Sequence, residues 1–158
     1  MSTQIIAAVD PTRSRTEARN AHGHSVVMDT DPPEGDGSAA GPKETLLAAL
    51  AGCTGMDVAS ILRKKQQVAR TYEIAISAES ATVHPKVFTA ITVMHRVTGA
   101  VQVEALRRSI ELSATRYCPV NAMLSSVARI EHRYHLTDAG GAAHEALVCV
   151  IGPDADVT

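Results

Sequence analysis

Residues 41–65 restrict the fold of this chain more than any other stretch, because they form its longest helix-compatible run. The run opens with Gly41-Pro42, and proline suits a first helical turn, where its missing N–H is not needed. Residues recur along one broad stripe at helical spacing, namely Leu46, Leu47, Leu50, Cys53, Met56, Asp57, Ser60 and Ile61. Small residues fill the middle of the run, so another backbone or a partner subunit can approach closely. We therefore predict a long central helix that carries a cysteine halfway along.

The pattern of the remaining chain predicts an α+β fold. Three short strand-like segments precede the helix and are expected to form an antiparallel meander: residues 4–9, 13–20 and 24–29. After the helix we predict a hairpin, a second helix, a short third helix and a last core strand: residues 71–79 with 87–97, 101–117, 120–127 and 130–136. Antiparallel sheets would then pack against two central helices.

We expect a single domain over residues 1–138 and a C-terminal extension over residues 139–158. The extension contains the apolar segment ALVCVI, which could add an edge strand or pack on a neighbour. A chain of 158 residues with 45% hydrophobic content is long enough to bury one sizeable core.

Composition argues against several classes of function. A net charge of −2 does not suit a general nucleic-acid or membrane-surface binder. With no Trp and one Phe, the chain has no aromatic platform for stacking bases. The N-terminus is too polar and short for a signal peptide, and no run is expected to reach the apolar length of a membrane span. We expect a soluble, cytoplasmic protein with no nucleic-acid or membrane partner.

The three cysteines are Cys53, Cys118 and Cys149, and none has CxxC spacing. This argues against a structural zinc site of the usual kind. A reducing cytosol disfavours a persistent disulfide but allows a transient redox disulfide. The seven histidines form no HExxH motif and no evident triad with a carboxylate, and no glycine-rich phosphate loop is present. We therefore expect neither a metal nor another cofactor.

Cys53 has two interpretations: it is either a reactive thiol or a small core residue. The second is the commoner role of a free cysteine, and the helical pattern alone favours it. Cys118 favours the interpretation of Cys53 as a reactive thiol, because Cys118 precedes Pro119, where a new helix can begin. Free backbone donors and the helix dipole at such a capping position are expected to lower the pKa of the thiol. Two thiols in such places suggest a nucleophilic and resolving pair, but a separation of 65 residues does not establish contact.

A thiolate that reduces a peroxide needs a nearby cation. The candidates are Arg15, Arg19, Arg107 and Arg108, and the alternative for each is a solvated surface charge. Glu44 could either complement the dipole at the helix start or hold an arginine in place. It lies about 13 Å from Cys53 along a straight helix and on the opposite face, so one arginine could serve both only if the helix bends. Asp57, one turn after Cys53, would oppose a thiolate unless it pairs or stays protonated.

Two segments together resemble the OsmC/Ohr family. Residues 41–62, GPKETLLAALAGCTGMDVASIL, resemble its Pro-x-Glu-Leu-Leu-x-Ala-Ala-x-Ala-x-Cys helix, and residues 110–124, IELSATRYCPVNAML, resemble its Cys-Pro-Val segment. The resemblance extends over roughly residues 4–137. It implies an intertwined homodimer with central long helices, outer sheets and active sites at the subunit interface. It also implies a thiol-dependent peroxidase activity.

By this resemblance Cys53 is the peroxidatic thiol and Cys118 the resolving thiol. An arginine from the N-terminal strands, Arg15 or Arg19, and the glutamate at the helix start, Glu44, would complete the site. The chain departs from the family pattern in having Lys43 directly after the proline, where glutamate is frequent. Together with the aspartate in the MDVASIL segment, this resembles a less characterised branch of the family.

Three hypotheses follow. The leading one is reduction of organic hydroperoxides or hydrogen peroxide through a Cys53 sulfenate and a Cys53–Cys118 disulfide, which a cellular dithiol would reduce. The alternative is an OsmC-like dimer that holds a small apolar ligand at its interface, with vestigial peroxidase activity. Lys43 and Asp57 motivate this alternative. The third is a structural interaction protein with incidental cysteines. A distance between the Cys53 and Cys118 sulfurs beyond disulfide reach would favour this hypothesis.

Overall fold

The computed structural model describes residues 2–155, which divide into two compact units. Unit 1 runs to Ala48 and unit 2 begins at Ala49. Met1 and residues 156–158, the last three of the expected C-terminal extension, lie outside the described residues. The longest helix, α1, spans Pro42–Lys64, so that its first turns belong to unit 1 and the rest to unit 2.

Unit 1 contains a three-stranded antiparallel sheet in the order β1-β2-β3. Its strands are β1 (Ile5–Val9), β2 (Thr16–Asn20) and β3 (Ser25–Met28). This confirms the predicted meander. The loop that follows is rich in proline and glycine, and it is anchored by Asp29, whose Oδ2 accepts hydrogen bonds from the backbone N–H and hydroxyl of Ser38 at 2.8 and 2.6 Å. The side chain of Asp29 is buried.

Unit 2 contains a four-stranded sheet in the order β4-β5-β6-β7. Its strands are β4 (Val68–Ser80), β5 (Phe88–Ala100), β6 (Arg129–Thr137) and β7 (Ala143–Ile151). The predicted hairpin, β4 with β5, is antiparallel, and so is β6 with β7, whereas β5 and β6 pair in parallel. The α+β class is confirmed, but this sheet is mixed, because the helices between β5 and β6 provide the crossover that a parallel pair needs. The C-terminal segment forms an edge strand, one of the two roles expected for it.

The second predicted helix is divided in the structure. It consists of α2 (Val103–Leu112) and a π-helical turn (Ser113–Tyr117), after which α3 (Pro119–Leu124) begins. The backbone N–H of Cys118 donates to the carbonyl of Ser113 at 3.0 Å, which closes the wide turn. Single π-helical turns of this kind are frequent at functional sites.

The core of unit 2 joins α1 and α2 to one face of the sheet. The core cluster comprises Val58, Leu62, Val97, Val101, Leu106, Ile110, Tyr134 and Leu136. The fully or nearly fully buried positions of α1 are Leu50, Thr54, Val58 and Leu62, which recur every four residues. The predicted apolar stripe was therefore only partly right, since Met56 is 75% exposed.

By length and composition alone, α1 is apolar enough to cross a membrane. The expectation that no run reaches this length was wrong by that criterion. Core helices of soluble proteins pass the same test, and α1 supplies Val58 and Leu62 to the core cluster of unit 2.

Candidate functional site

The candidate site lies in unit 2, where α1 meets the start of α3. Cys53 and Asp57 are four residues apart on α1, so their side chains lie on the same face of the helix. Cys118 occupies the N-cap of α3. The two sulfurs and a carboxylate oxygen of Asp57 all lie within 4.8 Å of one another. The chain thus brings together the two thiols whose contact the sequence could not establish, which removes the observation that would have favoured incidental cysteines.

Cys118 is held by one backbone donor and one thiol. Its Sγ accepts a hydrogen bond from the backbone N–H of Asn121 at 3.3 Å, which is the predicted capping interaction. Burial, together with a hydrogen bond to Cys53 and the charges of Cys53 and Asp57, raises the pKa of the Cys118 thiol to about 12. The expectation that the capping position lowers this pKa was wrong, because desolvation of the thiolate outweighs one backbone donor.

Asp57 is connected to the π-helical turn through two hydroxyl groups. The hydroxyl of Ser113 donates to Asp57 Oδ2 at 3.1 Å. The hydroxyl oxygen of Ser113 also lies 3.0 Å from the hydroxyl oxygen of Thr54, which is one turn before Asp57 on α1. Because the Ser113 proton is directed at the carboxylate, Thr54 is the donor in the second bond. Thr54 and Ser113 are fully buried, so this pair fixes the position of Asp57 relative to the turn.

A buried polar chain runs from the sheet to the residue that caps Cys118. Asn121 Nδ2 donates to the carbonyl of Ala114 at 2.7 Å, so Asn121 Oδ1 must accept from His132 Nε2 at 3.0 Å. His132 Nδ1 is then an acceptor, and His95 Nε2 donates to it at 3.3 Å. The hydroxyl of Tyr72 donates to His95 Nδ1 at 2.7 Å. The tautomers of both histidines follow from this hydrogen-bond pattern.

Both histidines of this chain are neutral at physiological pH. Burial lowers the pKa of His95 to about 3, with a further contribution from His132, and burial lowers the pKa of His132 to about 4. Burial also raises the pKa of Tyr72. Buried polar side chains destabilise a fold least when they are uncharged and form hydrogen bonds with one another.

The sequence analysis did not identify this polar chain. The signal was present in the strand alternation, since His95 and His132 occupy inward positions among apolar residues. The inward residues of the two strands are Ile91, Val93, His95, Val97, Ile130, His132, Tyr134 and Leu136. Asn121 gave no signal, because its role depends on the junction before α3.

The other three predicted site residues belong to unit 1. Arg19 is exposed and forms an ion pair with Glu17 at 2.8 Å. The carboxylate of Glu44 accepts a hydrogen bond from the backbone N–H of Gly41 at 2.8 Å, which is one half of a capping box at the start of α1. Arg15 is exposed, and none of the ion pairs among the described residues joins Glu44 to Arg15 or Arg19. The catalytic roles of these three residues stay predictions.

The two arginines of α2 form surface ion pairs. Arg107 lies 2.6 Å from Glu104 and 3.4 Å from Glu111, and Arg108 lies 2.9 Å from Glu111. This geometry favours the solvated-charge interpretation for both.

An open cavity of about 480 Å³ adjoins the site within unit 2. It is lined by Asp57, Ser60, Ile61, Lys64, Lys65, Leu112 and Tyr117. A small molecule in this cavity would therefore reach Asp57, and through it the neighbourhood of the two thiols.

The structure is that of a dithiol protein with an α+β fold, in which Cys53 within α1 lies close to Cys118 at the N-cap of α3. Comparison with known proteins gives its family. Residues 35–133 match the family described as OsmC-like protein. Protein YhfA of Escherichia coli strain K12 is 36% identical over 121 residues, which are 76% of this chain and 88% of the relative. The chain belongs to the OsmC-like family, as its two cysteine segments predicted.

Solved structures agree with this assignment at the level of the fold. The OsmC-like protein of Mycoplasma pneumoniae has a TM-score of 0.75 at 17% identity, covering 86% of this chain and 97% of the other. A Legionella pneumophila structure described as an organic hydroperoxide resistance protein OsmC has a TM-score of 0.62 at 15% identity, covering 84% and 95%.

Proposed function

We propose that this protein is a thiol-dependent peroxidase that reduces organic hydroperoxides or hydrogen peroxide. The observation that carries the proposal is the proximity of the Cys53 and Cys118 sulfurs, which lie within 4.8 Å of each other. A disulfide has an S–S bond of about 2 Å, so rotation of the two side chains with a small backbone adjustment would join them. The name of the Legionella relative supports a hydroperoxide as the substrate.

In the proposed reaction the Cys53 thiolate attacks the distal oxygen of the hydroperoxide. The O–O bond breaks, Cys53 becomes a sulfenic acid, and the alkoxide leaves as the alcohol after taking up a proton. The Cys118 thiol then attacks the sulfenic sulfur, the S–OH bond breaks, and the hydroxide leaves as water with the proton of Cys118. A cellular dithiol reduces the resulting disulfide and is itself oxidised to a disulfide. No cofactor takes part.

The raised pKa of Cys118 fits the resolving role. A thiol whose pKa is about 12 stays protonated at neutral pH, so it does not compete with Cys53 for the peroxide. Its proton is also available at the moment when hydroxide leaves the sulfenic acid. The order of events therefore follows from the different surroundings of the two sulfurs.

The remaining parts of the proposal come from the family resemblance. We propose that the protein works as a cytoplasmic homodimer, and that Arg15 or Arg19, held by Glu44, stabilises the Cys53 thiolate. Glu44 caps α1 in unit 1, which is compatible with a fixed carboxylate at the helix start.

Consumption of cumene hydroperoxide in a stopped-flow instrument tests the activity. The wild type and the Cys149→Ser variant should consume peroxide at the same rate, whereas Cys53→Ser should be inactive. Cys149 is the matched control, because it is the third thiol and is not part of the cluster around Asp57. Equal rates for the wild type and Cys53→Ser would contradict the proposal.

A second candidate function is the binding of a small apolar ligand, with weak peroxidase activity. The cavity of about 480 Å³ favours it, because Ile61, Leu112 and Tyr117 give part of its wall an apolar character. Titration of free thiols after treatment with stoichiometric peroxide separates the two functions. A loss of two thiols per chain indicates the peroxidase, and retention of all three indicates the binding protein.

A further inference from the structure

We propose that Cys53, Asp57 and Cys118, in the reduced protein, bind a divalent transition metal ion of the zinc class. The three ligand atoms already lie within 4.8 Å of one another. A tetrahedral zinc ion with Zn–S bonds of about 2.3 Å would hold two sulfurs about 3.8 Å apart. The limit of 4.8 Å accommodates this separation, and the sequence analysis did not predict the site because Cys118 is remote along the chain.

The ligands are supplied by two ordered elements. Cys53 and Asp57 lie one turn apart on α1, the i, i+4 spacing by which other zinc sites take two ligands from one helix. Cys118 comes from the junction between the π-helical turn and α3. Two thiolates and a carboxylate are a ligand set that suits zinc better than the hard cations magnesium and calcium, which prefer oxygen alone.

Two of the three ligands already have the outer partners that metal ligands require. The Ser113 hydroxyl donates to Asp57 Oδ2 and so orients the carboxylate. The backbone N–H of Asn121 donates to Cys118 Sγ, and Asn121 is itself fixed through Ala114 and His132. Such partners orient a ligand before the metal arrives.

Asp57 takes part in no direct ion pair within the described part of the chain. A divalent cation would compensate the charge of a carboxylate and two thiolates that share one small volume.

Three protein ligands leave the fourth position of a tetrahedral ion open. The cavity of about 480 Å³ borders Asp57, so water or a small ligand can approach the bound ion from the side of this carboxylate. Three ligands and one exchangeable position are typical of catalytic zinc sites, whereas structural sites have four protein ligands. Metal binding and the Cys53–Cys118 disulfide exclude each other, because a disulfide has no thiolate to offer.

Titration of the reduced full-length protein with Co²⁺, in anaerobic buffer free of other metals, tests this inference without any peroxide. The wild type and Cys149→Ser should show a saturable thiolate-to-cobalt charge-transfer band at one equivalent per chain. Zn²⁺ should displace the cobalt, and competition with a chromophoric chelator then gives the zinc affinity. The zinc affinity should fall by at least about 100-fold in Cys53→Ser and in Cys118→Ser, and by about 10- to 100-fold in Asp57→Asn.

Two results would overturn the inference. One is the absence of a saturable band in the wild type, and the other is an unchanged zinc affinity in folded Cys53→Ser or Asp57→Asn protein. Circular dichroism identifies any variant that does not fold, and the isosteric Asp57→Asn change keeps the test decisive if a serine variant fails. Zinc binding without peroxidase activity would contradict only the proposed function, and peroxidase activity without zinc binding would contradict only this inference.

Discussion

Cys118 differs from an ordinary capping residue because its thiol is buried beside two ionisable groups, the Cys53 thiol and the Asp57 carboxylate. A Ser or Asp at an N-cap is normally stabilised by the backbone donors it meets. Here the single donor, Asn121 N–H, competes with burial and with the nearby Cys53 and Asp57 groups, and the pKa of Cys118 rises to about 12. Burial therefore affects the pKa of this thiol more strongly than its capping position does.

Replacing Asp57 with asparagine should make Cys118 more reactive. Burial is the main cause that raises the pKa of Cys118, and the charge of Asp57 is a smaller one, so the variant should have a larger thiolate fraction. We expect alkylation of Cys118 by iodoacetamide at pH 8.5 in metal-free buffer to accelerate a few-fold, as followed by peptide mass spectrometry. Asp154→Asn, at an exposed turn, is the control and should leave the rate unchanged. An equal rate in Asp57→Asn and the wild type would show that the carboxylate does not act on this thiol.

At the scale of elements, the buried chain from Tyr72 to Asn121 connects the sheet of unit 2 to α3. It passes through β4, β5 and β6 before it reaches the short helix that begins at Cys118. A six-residue helix has little stability of its own, so these contacts position its first turn.

Asn121→Ala should lower the free energy of unfolding by about 3 kcal/mol, because the His132 N–H and the Ala114 carbonyl would be left buried without partners. Urea denaturation measures the change. Met123→Ala on the same helix removes a side chain that is 65% exposed and should stay within about 0.5 kcal/mol of the wild type. Equal stability of both variants would contradict the importance of the polar chain.

The two buried histidines also predict how stability depends on pH. Their pKa values, about 3 and about 4 in the folded protein, lie below the 6.5 of an unfolded histidine, so the unfolded chain binds more protons in acid. Stability should be fully present above about pH 6.5 and should fall by about 2 kcal/mol per histidine between pH 7 and pH 5.

Urea denaturation across this range checks the pH prediction. His95→Gln should show about half of the fall, whereas His84→Gln, which changes an exposed histidine, should show all of it. A fall that is as large in His95→Gln as in the wild type would exclude His95 as a cause.

At the scale of the whole molecule, the exposed apolar residues of α1 predict self-association. Met56 is 75% exposed next to small residues that allow close approach of a second chain. If the protein is a homodimer that uses this face, Met56→Lys should shift it toward the monomer. Size-exclusion chromatography with light scattering measures the mass. Val83→Lys replaces a residue of equal exposure on the loop between β4 and β5 and should leave the dimer intact. A monomeric wild type would contradict the proposal.

The sequence predicted the elements of this fold better than their connections. Strand alternation and the Pro42 start were local signals, and they gave the meander, the hairpin and α1 nearly to their ends. The π-helical turn and the parallel pairing of β5 with β6 depend on tertiary contacts, which have no periodicity to reveal them.

The candidate site, too, was predicted only in part from the sequence. The two cysteines were found through their positions relative to a helix centre and a proline, whereas His95, His132 and Asn121 were missed. Asp57 was noticed as an obstacle to a thiolate, but its bond from Ser113 required the folded chain. The pKa of Cys118 was misjudged, because burial cannot be read from a capping motif.

Whether Cys53 and Cys118 form a redox pair can be read from the intact mass of the protein after treatment with one equivalent of peroxide. The wild type and Cys149→Ser should lose the mass of two hydrogens, and a dithiol should restore it. Cys118→Ser should instead gain one oxygen on Cys53, since nothing resolves the sulfenic acid. A loss of two hydrogens that persists in Cys118→Ser, or no change of mass in the wild type, would show that Cys53 and Cys118 are not a redox pair.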